Sequence, residues 1–435
     1  MNKTIRIALL LGSVAGLTRA APVLDANPTL SQDANSRLVT IQYKLTGDEP
    51  AVITVAVLTN GVALPPPAMK FLSGDVSKTM TQAIEPDADN LKTIVWDVAK
   101  ESPGSLFSNA VAKITAYPTN NPPLYLVIDL SGGTNANRYP CRRTSQPPDF
   151  GNLANAACRT TELWLRYIPA CTFSMGAPST EPGYNANRFN PGFGMETVHA
   201  VTLTHDYYIG VFEVTQRQWE LVMGNRPSFN TSAYWADRPV EQVSFNDIRG
   251  ALPETGLPTG KTIGPISFLG TLRAKTGLAL LDLPSEAQWE RACRAESSSG
   301  QWNDGSLILQ TDASDANLNR LARTQYNCTR NDSNGNLDPA TYNSARVGSY
   351  VPNAWNLYDM HGNVNELCKD RALLDLNTSS VTDPLGPASG VNQIHRGGGY
   401  ASATYGHRAA ARCGVQEVRT LQHKRLGFRL ANTVQ

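Results

Sequence analysis

Phe173-Ser-Met-Gly176, Gly210-Val-Phe-Glu-Val-Thr-Gln216, Arg238-Pro-Val-Glu-Gln-Val-Ser244, Leu283-Pro-Ser-Glu-Ala-Gln-Trp-Glu290, Leu357-Tyr-Asp-Met-His-Gly-Asn-Val-Asn-Glu366, Arg396-Gly-Gly-Gly399 and Gly427-Phe-Arg-Leu430 follow one another along the chain. Their reading decides the fold. Thr215 and Gln218 form a capping box, which predicts a helix with Trp219, Val222 and Met223 on one face. Ser285 and Gln288 repeat the arrangement, with Trp289, Ala292 and Cys293 on the apolar side. Ser244 and Asp247 open a third helix bearing Ile248 and Leu252. Tryptophans on such stripes are expected in the core. Strands are predicted at 124–130, at 166–176 running into a turn at Gly176, and at 201–210.

Working outward, residues 295–345 are polar and rich in Asn, Asp and Ser. They are too long for an ordinary connection, so something other than a core should order them, metal binding being one candidate. Residues 119–159, rich in Pro, Asn and Gly, read as a linker, and residues 33–118 as a small all-β domain. In that domain 38–45 and 52–58 alternate apolar and polar positions, Asn60-Gly61 marks a hairpin turn, and 92–97 and 110–117 supply further strands. The spacing predicts an antiparallel sandwich of immunoglobulin or fibronectin type, without a cysteine and so without an inter-sheet disulfide. Nothing in it looks catalytic, and it reads as a spacer or adhesion module.

Residues 1–21 read as an export signal: Lys3 and Arg6 precede a short apolar run, and Thr18-Arg-Ala20 offers small residues near a cleavage point. The run is shorter than the roughly 20 apolar residues a membrane span takes. A secreted, periplasmic or cell-surface protein without a membrane span is expected. Lys and Arg number 38 against 37 Asp and Glu, which leaves no electrostatic footprint for nucleic acid. The 7 cysteines all follow the N-terminal region; some should pair in an oxidising compartment, with connectivity open. No spacing suggests zinc, and no nucleophile elbow, phosphate loop or His-Glu-x-x-His is present. The carboxylates read as scattered. His199 and His205 flank a strand and read as surface residues.

The ordered motifs resemble the formylglycine-generating-enzyme, or sulfatase-modifying-factor, family over residues 160–432. The resemblance implies an α+β fold, a single domain of low regular secondary structure related to C-type lectins. It also implies calcium. Asp359 and Glu366 would give side-chain oxygens to one site and Gly362 and Val364 carbonyls; Asn317, the Leu318 carbonyl, Asp338 and the Ala340 carbonyl would build a second. Active members of the family oxidise a substrate cysteine with O₂, using Cu(I) held by two cysteines in a Cys-x4-Cys arrangement. Here those positions fall on Thr404 and Ala409, and neither side chain supplies a thiolate. Copper is therefore not expected. Cys413 has no partner five residues before it, where Arg408 stands. Tyr405, His407, Arg408 and Arg412 are candidates to line a recognition pocket. The resemblance thus leads to a calcium-stabilised binding module, a pseudoenzyme with an unknown protein or glycan ligand. The alternative is an oxidase acting on a sulfatase polypeptide.

Overall fold

A computed structural model describes residues 23–24, 28–46, 51–59, 62–63, 72–76, 79–80, 91–101, 110–119, 121–148, 157–184, 196–231, 234–251, 262–297, 314–328, 342–373, 376, 378–413 and 418–434. The export signal expected at 1–21, the Asn60-Gly61 turn, Leu252, Asp338 and Ala340 lie outside the described residues. The chain divides into two compact units, Met1–Pro122 and Pro123–Gln435.

In the first unit, Thr29–Gln32, Leu38–Tyr43, Lys92–Asp97 and Leu72–Gly74 form one antiparallel sheet in that order. Ala110–Pro118, Ala51–Thr59 and Val62–Ala63 form a second, with Thr79–Met80 also on Ala51–Thr59. The period-two alternation sends Val39, Ile41, Ile94 and Trp96 inward from the first sheet. They meet Ile53, Val57, Ala112 and Ile114 from the second in one apolar cluster.

The second unit is built on a six-stranded antiparallel sheet. Its order is Cys141–Thr144, Tyr125–Asp129, Glu162–Ile168, Tyr207–Gly210, Ala431–Thr433 and Leu281–Asp282. Tyr125–Asp129 is buried throughout, so part of the stretch read as a linker is a central strand of this unit. The two long strands predicted at 166–176 and 201–210 are each divided. Glu162–Ile168 and Tyr207–Gly210 stay in the large sheet, whereas Cys171–Met175 and His199–Leu203 form a second sheet with Val381–Thr382. Pro169, lacking an N–H, breaks one ladder. Asp206 holds the two corners together, accepting from Ala170 N–H at 2.7 Å and from the Tyr167 hydroxyl at 2.7 Å. The turn at Gly176 is left-handed, φ +92°, and a Cβ there would lie 2.6 Å from the Glu196 carbonyl oxygen. A third sheet runs Gln393–Arg396, Asn365–Arg371, Leu426–Gly427.

The two capping boxes form as read, ahead of helices Gln216–Met223 and Glu286–Arg294, and Ser244 with Asp247 makes a third ahead of Phe245–Arg249. A further helix, Phe268–Thr276, capped by Ser267, was not legible; its Phe268 stacks on Trp219 at 5.0 Å. Trp219 and Trp289 are 3% and 0% exposed, as core residues should be. Within 295–345, residues 314–328 carry a helix, Ala316–Leu321, and Leu318, Leu321 and Ala322 form their own small apolar cluster. That part is therefore held by a core of its own, against the expectation. Among the described residues no helix is long and apolar enough to cross a membrane.

Candidate functional site

The seven motifs of the sequence converge on one buried region, through hydrogen bonds that run from motif to motif. Glu290 accepts from the Gly176 N–H at 2.8 Å, and Arg294 donates to the Gly176 carbonyl at 2.6 Å. Trp289 Nε1 donates to Glu366 at 2.7 Å. Arg429, from Gly-Phe-Arg, donates to Glu366, to the Tyr358 carbonyl and to the Gly210 carbonyl. Glu213 accepts from Asn363 Nδ2 at 2.6 Å and from Val364 N–H at 3.1 Å. Val240 N–H donates to the Val214 carbonyl, which ties in Arg238–Ser244.

Two ionic clusters lie in this region, and they differ in charge. In the first, Glu286 and Glu290 stand one turn apart on helix Glu286–Arg294. Arg396 donates to both at 2.8 Å, Arg412 reaches Glu286 at 2.6 and 3.0 Å, and Arg294 reaches Glu290 at 2.6 Å. Three guanidiniums thus serve two carboxylates. Burial pushes the Glu286 carboxyl up, but Arg412 and Arg396 outweigh it and hold it at about 2. Glu290 is lowered in the same way, burial being overcome by Arg294 and Arg396. These carboxylates are not scattered, and the four-residue spacing of Glu286 and Glu290 is the sequence signal that pairs them.

In the second cluster, Glu213, Asp359 and Glu366 are 1%, 2% and 0% exposed; Arg429 acts on all three, and buried Arg159 also acts on Asp359. Both Glu366 oxygens receive Arg429, at 2.5 Å each, and one also receives Trp289. Asp359 Oδ2 accepts from Gly348 N–H at 2.6 Å, while buried Oδ1 has no hydrogen-bond partner. Burial, followed by the neighbouring carboxylates, raises Glu213 well above the usual range; burial raises Asp359 as well. Residues 359–366 are therefore a short-range acidic site with one spare oxygen. Among the described residues no three His, Cys, Asp or Glu side chains are grouped to hold a metal ion. For the second expected site, the Leu318 carbonyl accepts from Ala322 N–H at 2.9 Å, and Asp315 caps the helix over Asn317 N–H and Leu318 N–H.

The loop of the expected copper cysteines is a short 3₁₀ turn, Thr404–His407, and Thr404 and Ala409 are each 0% exposed. Ala409 belongs to the apolar core, and its carbonyl receives Arg396 at 2.9 Å. His407 is fully buried, with Nδ1 2.9 Å from the Ala403 carbonyl and Nε2 3.2 Å from that of Gly399. Burial holds it neutral, down at about 4. Arg408 pairs with Glu181 at 3.2 Å and Glu196 at 2.5 Å. Arg408 and Arg412 thus spend their charge on interior carboxylates, and Tyr405 is half-buried beside them. Cys141, Cys171, Cys293 and Cys368 carry no disulfide. Cys293 and Cys368 are wholly buried, and burial drives both thiols upward, away from the thiolate.

A cavity of about 380 Å³ opens beside the first cluster. Met175, Ala287, Val381, Leu385 and Pro387 form apolar walls, and His199, Glu286, Asp370 and Thr382 are its polar lining. His205 is exposed as read, but His199 is only 5% exposed because its strand is covered. None of Tyr405, His407, Arg408 and Arg412 lines this cavity or the one of about 390 Å³ beside Trp219 and Ser267.

Mixed sheets with short capped helices, tied by buried ion pairs at glycine turns, define the class of domain. Residues 152–434 match the sulfatase-modifying factor enzyme 1-like domain, and the chain belongs to that family. It is 32% identical over 189 residues to the chaperone protein LppX of Paenibacillus barcinonensis, 39% of this chain and 63% of that protein. Mouse formylglycine-generating enzyme is 29% identical over 152 residues, 34% of this chain and 38% of the enzyme. The chain thus spans less than two thirds of either relative. Among solved structures, Treponema denticola variable protein 1 is 27% identical with a TM-score of 0.44, covering 63% of this chain and 96% of that one. PvdO from Pseudomonas aeruginosa is 21% identical with a TM-score of 0.44, covering 62% and 94%.

Proposed function

We propose that the domain is an exported binding module that keeps its family's scaffold without its copper chemistry. What supports this reading is the pair Thr404 and Ala409, both buried, where the resemblance would put the family's two cysteines. Cu(I) needs soft thiolate ligands, and a hydroxyl and a methyl do not provide them. The donor set does not fit copper. The module's partner is a protein or glycan bound at surface loops, as lectin-related folds allow.

Calcium fits the second cluster in part. Three buried carboxylates against Arg429 and, at Asp359, Arg159 leave more acids than cations, and Asp359 Oδ1 lacks a hydrogen-bond partner. Asp359 with the Gly362 and Val364 carbonyls would hold the ion, and its role is to stabilise the fold. Glu366 is committed to Arg429 and contributes charge rather than an open oxygen.

The rival reading, an oxidase acting on a sulfatase, is favoured by the mouse relative's activity. One assay separates them. Purified protein is incubated with Cu(I) and a Cys-x-Pro-x-Arg peptide under O₂. The module reading expects neither stoichiometric copper nor formylglycine; either product of that assay overturns it.

A further inference from the structure

The cavity beside helix Glu286–Arg294 is separate from both the expected copper loop and the expected calcium site, and its polar groups share one property. Asp370 is 2% exposed, and its Oδ2 accepts from the Glu286 N–H at 2.8 Å. No other hydrogen bond is made to this carboxyl among the described residues, although it lines the cavity. His199 Nδ1 lies 2.9 Å from the Thr197 carbonyl, which can only accept. Nδ1 therefore carries the hydrogen, and in that tautomer Nε2 is the acceptor nitrogen. Glu286, the remaining acid, is already saturated by Arg396 and Arg412. The cavity thus offers acceptors from two elements, strand Asn365–Arg371 and strand His199–Leu203, with apolar walls around them.

Other occupants fit less well. No Lys or Arg lines the cavity, so an anion would face carboxylates without a cation. A polyol would leave most hydroxyls against Met175, Val381, Leu385 and Pro387. A calcium ion would find too few oxygens. We propose that this cavity binds a primary amine on a short apolar body, with its ammonium on Asp370 and His199 and its hydrocarbon against Met175, Leu385 and Pro387. The ammonium has three donors and no acceptor, the complement of the two groups that face it. Burial and then the Glu286 carboxylate raise the Asp370 carboxyl to about 7, outweighing the Glu286 N–H, Lys369 and Arg412, which lower it. This assignment does not depend on whether copper chemistry is absent.

The test is calorimetric titration of the full chain at neutral pH with cyclohexylamine, and with cyclohexanol as the uncharged match in shape. The amine is expected to bind at a single site and the alcohol roughly tenfold more weakly or worse, the worth of a charge-assisted hydrogen bond. Asp370→Asn keeps an acceptor for the Glu286 N–H and should lose the amine by a similar factor. Leu385→Trp fills the half-buried wall and should abolish binding. Absence of binding by the amine, equal affinity for amine and alcohol, or unchanged binding in either variant would overturn the proposal. Should Asp370→Asn fail to fold, Leu385→Trp decides.

Discussion

The two ionic clusters of the second unit both touch Trp289, and they are opposite in balance. The Arg396 guanidinium lies 5.9 Å from the indole ring, and the indole N–H donates to Glu366. In the first cluster three guanidiniums serve two carboxylates, whose acidity is strengthened. In the second, three carboxylates face Arg429, with Arg159 acting on Asp359 besides, and Glu213 and Asp359 resist ionisation. The first is a clamp whose carboxylates are saturated by guanidinium. The second has more buried acids than cations, the imbalance on which the calcium proposal rests. The lesson is that burial alone does not distinguish a clamp from a site; the count of partners does.

The largest effect should come from removing the cation common to the second cluster. Arg429→Met strips Glu366 of its ion pair and Glu213 of its nearby cation, and should cost about 3–5 kcal/mol in denaturant unfolding. Arg396→Met leaves Glu286 with Arg412 and Glu290 with Arg294, and should cost less, about 1–3 kcal/mol. Equal losses would remove the distinction between the clusters.

Acid should separate them next. Glu286 has a folded value of about 2 against an ordinary 4.5, so its stabilisation is present above 4.5 and is lost as pH falls toward 2. Glu213 is raised, so its ionisation costs stability as pH climbs above the ordinary value, and acid relieves it. Thermal unfolding of Glu286→Gln should lose the acid-side slope and be weaker at neutral pH. Glu213→Gln without calcium should be tolerated at neutral pH. The opposite pattern would reverse the assignment.

Calcium gives a smaller effect. At a hundred times its dissociation constant the ion should add about 2.7 kcal/mol, seen as a rise in Tm that chelator reverses. Asp359→Asn should remove the response and still fold, whereas Glu366→Ala is uninformative because it also strands Arg429. A calcium response that survives Asp359→Asn would place the ion elsewhere. Trp289→Phe should be the mildest change, about 1–2 kcal/mol from one lost hydrogen bond to a charged group. If it moves the stability of Glu366→Gln as much as that of wild type, the indole bridge carries no coupling.

Much of the fold was legible because it is written locally. Thr215, Ser244 and Ser285 each bond a backbone N–H three residues on, so their helices could be read from neighbouring letters. The inward positions of Leu38–Tyr43 and Lys92–Asp97 follow from a period of two. Helix Phe268–Thr276 escaped because its buried face is set by Trp219 and Phe428, far away in the chain. The divided strands escaped because Asp206 and Pro169 act through a corner that alternation does not record.

At the candidate site the division is similar. The sequence by itself determined that residues 404 and 409 bear no thiolate, since side-chain chemistry needs no coordinates. It also determined the Asp359–Glu366 loop and the positions of the capped helices. Only the tertiary structure decided that Glu366 belongs to Arg429, that Arg408 and Arg412 are interior ion pairs rather than pocket walls, and that His199 and Asp370 face one cavity. These partners are separated by tens to hundreds of residues. Which carboxylate receives which guanidinium depends on the packing of three sheets around helix Glu286–Arg294, and no local pattern of residues encodes it.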